Sequence, residues 1–82
     1  MKSEEEILYE ICINNVYMLL TGKQTFGDIM DYGNAWFIFD SLDDLEINRN
    51  KYIDEAIQYY EEIEEYEKCN ELLKIKDEEL VE

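Results

Sequence analysis

The chain has no histidine and no proline, and its 82 residues include only three glycines and seven basic residues. Without histidine it lacks the usual general base and the commonest transition-metal ligand of proteins. The absence of proline and the confinement of glycine to the first half favour long helices in the second half. No apolar run reaches the roughly 18 residues that a membrane-spanning helix needs. These absences predict a mostly helical protein that is not an enzyme and needs no cofactor.

The acidic residues far outnumber the basic ones. There are 22 Asp and Glu against 7 Lys and Arg, which gives a formal net charge of −15, yet 46% of the residues are hydrophobic. Disordered acidic tails carry such charge without this share of apolar residues. A folded domain with this charge repels itself, so we expect a basic protein surface as its partner. Nucleic acids and anionic membranes are excluded as direct ligands because both would repel the chain.

The length predicts one small domain over residues 1–82, with a thin core that dimerisation would support. The first residues lack the apolar region of a signal peptide, so we expect a cytoplasmic protein. In that compartment Cys12 and Cys69 are expected to be reduced, and their apolar neighbours at helical spacing predict that both are buried.

Two helix starts are marked by capping-box patterns. Ser3 is followed three residues later by Glu6, and Thr25 is followed by Asp28 at the same spacing. Apolar residues recur at the helical period after Ser3, and Gly22 is suited to end that helix in the left-handed conformation.

The middle of the chain is ambiguous. Residues 35–39 read either as helix or as a short buried strand, and we favour a helix interrupted at Gly33 because no second strand is apparent to pair with it. Trp36 and Phe37 are predicted to lie in the core. Residues 41–48 read as a connector with one helical turn. Residues 48–82 have a helical pattern whose apolar face shifts near Glu64, which suits either a bend between two helices or a single curved helix. The predicted fold class is therefore all-α: a bundle of three to four helices with a C-terminal hairpin.

Residues 59–72 resemble the UVR motif of bacterial excision-repair proteins and some protease adaptors, a helical hairpin that pairs with another protein. Tyr66 matches the aromatic residue before its second helix, Glu67 and Lys68 match the charged pair, and Leu72 matches the leucine. Asn70 departs from the motif, which has a small alanine there. The resemblance implies a hairpin turning near Glu64 and a role in protein pairing.

In its size, its charge and its aromatic content, the chain also resembles small acidic proteins that phages encode to antagonise host nucleases, polymerases or defence complexes. Several of those proteins are DNA mimics. This resemblance implies an inhibitor that acts in the host cytoplasm and occupies the basic surface of a nucleic-acid-binding protein.

Two stretches of acids are the candidate partner-binding site. Carboxylates pair with Arg and Lys, and aromatic rings stack on guanidinium groups. The predicted contact residues are Asp40, Asp43, Asp44, Glu61, Glu62, Glu64, Glu65 and Tyr66. A calcium loop is not expected around Asp40–Asp44, because the spacing and the glycine of an EF-hand are missing. The competing interpretation is an assembly module, either UVR-like or homodimeric, in which the charge only keeps the protein soluble.

Overall fold

In a computed structural model, which describes residues 2–33 and 35–80, the described chain contains five α-helices and no strand. The prediction of an all-α fold is confirmed. Two short helices in the middle bring the number above the three to four expected. The helices are α1 (Glu4–Thr21), α2 (Phe26–Tyr32), α3 (Leu42–Ile47), α4 (Arg49–Glu62) and α5 (Tyr66–Leu80).

The core lies between the three long helices. Helices α4 and α5 form the predicted C-terminal hairpin, and α1 packs against both. Tyr9, near the start of α1, contacts Tyr59 near the end of α4, and Tyr17, further along α1, contacts Tyr60. Each fully buried aliphatic side chain contributes roughly 1.5–3 kcal/mol relative to exposure. The largest fully buried side chains are Ile13, Val16, Ile53 and Leu72.

Side-chain caps start the first three helices. The Ser3 hydroxyl accepts a hydrogen bond from the Glu6 amide at 3.2 Å. Thr25 and Asp28 form the complete capping box that the sequence predicted, with both bonds at 3.1 Å. Ser41 caps α3 by accepting from the Asp44 amide at 3.1 Å.

Helices α1 and α4 end in the same hydrogen-bonding pattern, the Schellman motif. In α1, Gly22 has φ 74° and the Lys23 amide donates to the Met18 carbonyl. In α4, Glu64 has φ 62° and the Glu65 amide donates to the Tyr60 carbonyl. The predicted bend near Glu64 is confirmed, but the left-handed position that suits glycine holds an acid there.

The middle of the chain differs from the prediction. Helix α2 ends at Tyr32 with Gly33 as its cap, and residues 35–41 are irregular, so neither the favoured helix nor a strand forms. The predicted burial of Trp36 is wrong, because its side chain is 55% exposed. Phe37 and Phe39 pack together at 4.7 Å between ring centroids, while the Trp36 side chain lies exposed.

Both cysteines are buried and free. Burial raises the pKa of each thiol, which keeps both protonated and unreactive. The Cys69 thiol lies 3.5 Å from the Ile57 carbonyl, to which it donates a hydrogen bond between α5 and α4. Among the described helices, none has the length and apolar content to cross a membrane.

Candidate functional site

The predicted contact residues fall into two groups at different levels of α4. Asp40, Asp43 and Asp44 lie at the start of α3 and face the first turn of α4, where Asp44 meets Tyr52. The second group occupies the turn between α4 and α5, from Glu61 to Tyr66. Nine residues of helix separate Tyr52 from Glu61, a rise of about 13 Å. The structure therefore does not merge the two groups into one cluster.

The first group is engaged in holding the fold. The Asp44 carboxylate accepts hydrogen bonds from the Tyr52 hydroxyl, from the Asn48 amide group at 2.7 Å and from the Asp40 backbone amide at 3.2 Å. These donors, the Tyr52 hydroxyl first among them, lower the pKa of Asp44. The same bond raises the pKa of Tyr52 to about 12. Asp40 and Asp43 are exposed, so their carboxylates face solvent while that of Asp44 serves the structure.

The second group makes no such bonds. The side chains of Glu61, Glu62, Glu64 and Glu65 are exposed, and within the described residues none of their carboxylates accepts a hydrogen bond or joins an ion pair. Tyr66 is 58% exposed beside them. These four carboxylates and one ring are therefore available to a partner.

Helix physics disfavours acids at this turn. Glu61 and Glu62 lie in the last turn of α4, where the helix dipole is negative, and no basic residue offsets them there. Each such charge costs about 0.3–1 kcal/mol. Glu64 holds the left-handed conformation, which costs a non-glycine residue about 1–2 kcal/mol. The stability of the fold does not account for the acids at these positions.

A row of four tyrosines runs from the surface between α1 and α4 into the core. Ring centroids are 5.6 Å apart from Tyr9 to Tyr59, 5.3 Å from Tyr59 to Tyr60 and 5.6 Å from Tyr60 to Tyr17. All three pairs meet edge to face, the arrangement that aromatic quadrupoles prefer. The Tyr60 hydroxyl is buried without a hydrogen-bond partner among the described residues, and burial raises its pKa. This row links the surface to the core.

The inner end of the tyrosine row already carries cations. The Lys68 ammonium lies 4.9 Å from the ring centre of Tyr60 and 5.5 Å from that of Tyr17. Lys23 lies 5.3 Å from the Tyr17 ring centre and pairs with the Glu71 carboxylate at 3.1 Å. Glu71 also accepts from the Tyr17 hydroxyl at 2.8 Å, and the pKa of this carboxyl is lowered by that bond and by Lys23. Ring, carboxylate and cation thus form one unit.

The outer end of the row forms the floor of a surface groove of about 600 Å³. Tyr9, Tyr59 and Ile63 supply its aromatic and apolar surface. Sequence reasoning missed this groove, because it depends on the packing of α1 on α4 and on no local motif. The one signal in the sequence was an acid next to a tyrosine in the segments that form α1 and α4. The described lining residues are Lys2, Ser3, Glu5, Glu6, Tyr9, Tyr59, Glu62 and Ile63.

The described residues contain no group of three or more His, Cys, Asp or Glu side chains placed to hold a metal ion. The hairpin turns between Glu62 and Tyr66, with Cys69 and Leu72 buried and Asn70 exposed. Comparisons with protein-family models, with curated proteins and with solved structures found no significant match to this chain.

Proposed function

We propose that this protein is a non-catalytic, phage-type inhibitor that occupies the basic, nucleic-acid-binding surface of a host protein. The observation that carries the proposal is the placement of Glu61, Glu62, Glu64 and Glu65. Their carboxylates are exposed and unpaired in the described structure, the helix dipole of α4 disfavours Glu61 and Glu62, and the backbone disfavours a non-glycine residue at Glu64. Binding of a basic partner gives a reason for acids that stability alone does not.

The acids lie close together along the α4–α5 turn. A group of neighbouring carboxylates can meet the Arg and Lys side chains that otherwise contact phosphates. Tyr66, 58% exposed at the same turn, offers a ring on which a guanidinium can stack. Asp40 and Asp43 extend the negative surface at the level of α3.

The alternative is an assembly module, UVR-like or homodimeric. It is favoured by exposed aliphatic side chains, of which Ile47 is the most prominent at 80% exposure. Apolar pairing would tolerate salt, whereas binding through charge weakens steeply as ionic strength rises. The other aliphatic side chains of this kind are Ile7, Leu8, Leu42, Ile63 and Leu73.

The decisive experiment is charge reversal at the α4–α5 turn. Replacing Glu61, Glu62, Glu64 and Glu65 with Lys changes the formal net charge from −15 to −7, since each reversal adds two. The wild-type protein is used as bait in the source cell to identify its partner, and both proteins are then titrated with that partner. The variant should fold, with equal or higher stability, and should lose binding, because close interfacial charge pairs are worth roughly 1.5–7 kcal/mol each.

A charge-matched pair of variants controls for net charge. Glu61→Lys with Glu65→Lys changes the turn, while Asp31→Lys with Glu46→Lys makes the same change at exposed sites elsewhere. The first should weaken binding far more than the second. Nucleic acid should compete with the wild-type protein for the partner. If the quadruple variant still binds, or if nucleic acid and protein occupy the partner together, the assembly module replaces this proposal.

A further inference from the structure

Both ends of the tyrosine row combine aromatic rings with nearby carboxylates. They differ in the cations that lie on the rings. At the inner end, lysines lie on the rings of Tyr60 and Tyr17, with the Glu71 carboxylate beside them. At the outer end, Tyr9 and Tyr59 face a groove rimmed by carboxylates. The described cation in that lining is Lys2, whose ammonium is held by Glu10 at 2.7 Å.

The acids of the groove lie close to its rings. The charge of Glu62 is one of the influences that raise the pKa of Tyr9, after burial and its hydrogen bond to Glu55. The charge of Glu6 acts on Tyr59 in the same direction, after burial and Glu10. Both carboxylates are exposed and have no partner within the described residues. A cation entering the groove would therefore meet an aromatic ring and a free carboxylate together.

We propose that this groove binds an arginine side chain from a basic segment of the partner, with Glu6 and Glu62 pairing with the guanidinium. The guanidinium stacks on one of the two rings, Tyr9 or Tyr59, and meets the edge of the other, because the rings are inclined at 69°. The proposal rests on the proposed function for the existence of a basic partner, and it names the side chain and the place. The groove repeats, for a cation from outside, the ring–carboxylate unit that the chain builds internally around Lys23 and Lys68.

Arginine fits the groove better than lysine for a physical reason. Guanidinium is planar and weakly hydrated, so it stacks on a ring and still presents two donors to a carboxylate. An ammonium is compact and strongly hydrated. Ile63 and the tyrosine rings offer apolar surface for the methylene stem of the side chain. The groove should therefore discriminate between two side chains of equal charge.

The test uses the full chain and two short acetylated peptides that differ only in carrying arginine or lysine at the same positions. Calorimetric titration at low salt should give tighter binding of the arginine peptide by about fivefold, which is about 1 kcal/mol. NMR shifts on peptide addition should centre on Tyr9, Tyr59 and Ile63. Equal affinities for the two peptides, or shifts centred elsewhere, would overturn the proposal.

Charge-matched variants locate the effect. Glu6→Gln with Glu62→Gln should abolish the preference for arginine, whereas Asp31→Asn with Glu46→Gln should keep it at the same net charge. Lys2→Gln, which removes the resident cation, should strengthen binding of the arginine peptide. An unchanged preference in the groove variant contradicts the proposal. The peptide titrations test the groove alone, and competition with nucleic acid tests the proposed function. A groove that shows no preference for arginine can therefore be distinguished from a protein that does not occupy a nucleic-acid-binding surface.

Discussion

The two acidic regions of this molecule differ in what they do for the fold. The acids at the start of α3 are placed where a helix favours them, because Asp43 and Asp44 lie at its positive end and Asp44 accepts three hydrogen bonds. Glu61 and Glu62 lie at the negative end of α4, Glu64 holds a left-handed backbone position, and Glu65 directly precedes α5. One region stabilises the structure, and the other is tolerated by it.

This difference separates structural acids from binding acids without any knowledge of a partner. An acid that caps a helix has a sufficient reason to be present. An acid that opposes the dipole and accepts no hydrogen bond lacks that reason, so a function outside the fold is the better account of it.

The largest expected effect on stability is at the start of α3. Ser41→Ala removes the cap hydroxyl and should cost about 1 kcal/mol. Asp44→Ala should cost more than that, because it leaves the Tyr52 hydroxyl and the Asn48 side chain without their acceptor. Asp43→Ala, one position away and exposed, is the matched control and should change little. Thermal unfolding measures all three. Equal melting temperatures for the Asp44 and Asp43 variants would erase the contrast between the two regions.

Acid pH should weaken the first region and the hydrogen-bonded carboxylate of Glu71 on α5. Hydrogen bonds lower the pKa of Asp44 and of Glu71 in the folded protein. Their contribution to stability is therefore fully present above the ordinary carboxyl pKa of about 4 and is lost as pH falls through the lower folded values. Chemical denaturation across this range should show a smaller acid loss for Asp44→Asn with Glu71→Gln. An identical pH profile would contradict this assignment.

A smaller effect, an increase in the free energy of unfolding, is expected at the α4–α5 turn. Glu64→Gly relieves the left-handed strain and should raise the free energy of unfolding by about 0.5–1 kcal/mol, after the entropic cost of glycine is subtracted. Glu62→Gly, within α4, should lower it by about the same amount. Urea titration of both variants tests the comparison. Destabilisation by Glu64→Gly would show that this acid supports the fold after all.

The smallest effect is expected at Trp36. Its side chain is 55% exposed, so Trp36→Ala should change the free energy of unfolding by less than about 1 kcal/mol. The fluorescence of the wild-type protein should have the long emission wavelength of a hydrated indole. A blue-shifted emission would indicate that a second molecule covers Trp36 and would favour the assembly module.

Local rules in the sequence predicted the helix starts, the glycine cap at Gly22 and the bend near Glu64. Each of these depends on residues within one or two turns of one another. The error at residues 35–39 has the opposite cause. A helical pattern around Trp36 was overridden when Phe37 and Phe39 packed together and the Asn15 side chain bonded the Trp36 carbonyl at 2.9 Å.

For the candidate site, too, the sequence predicted local features and missed those that depend on contacts between distant residues. Composition identified the acids at both regions, but not which of them the fold uses. That distinction needed the contact between Asp44 and Tyr52, eight residues apart across two helices. The groove beside Tyr9 needed the contact of α1 with α4, across some fifty residues of sequence. Neither contact has a local signature.

Glu64 also has an evolutionary consequence. If glycine at position 64 stabilises the fold as predicted, selection for folding alone favours its replacement of the acid. Under the proposed function, related chains that keep a carboxylate at this left-handed position should bind the basic partner more tightly than chains that carry glycine there.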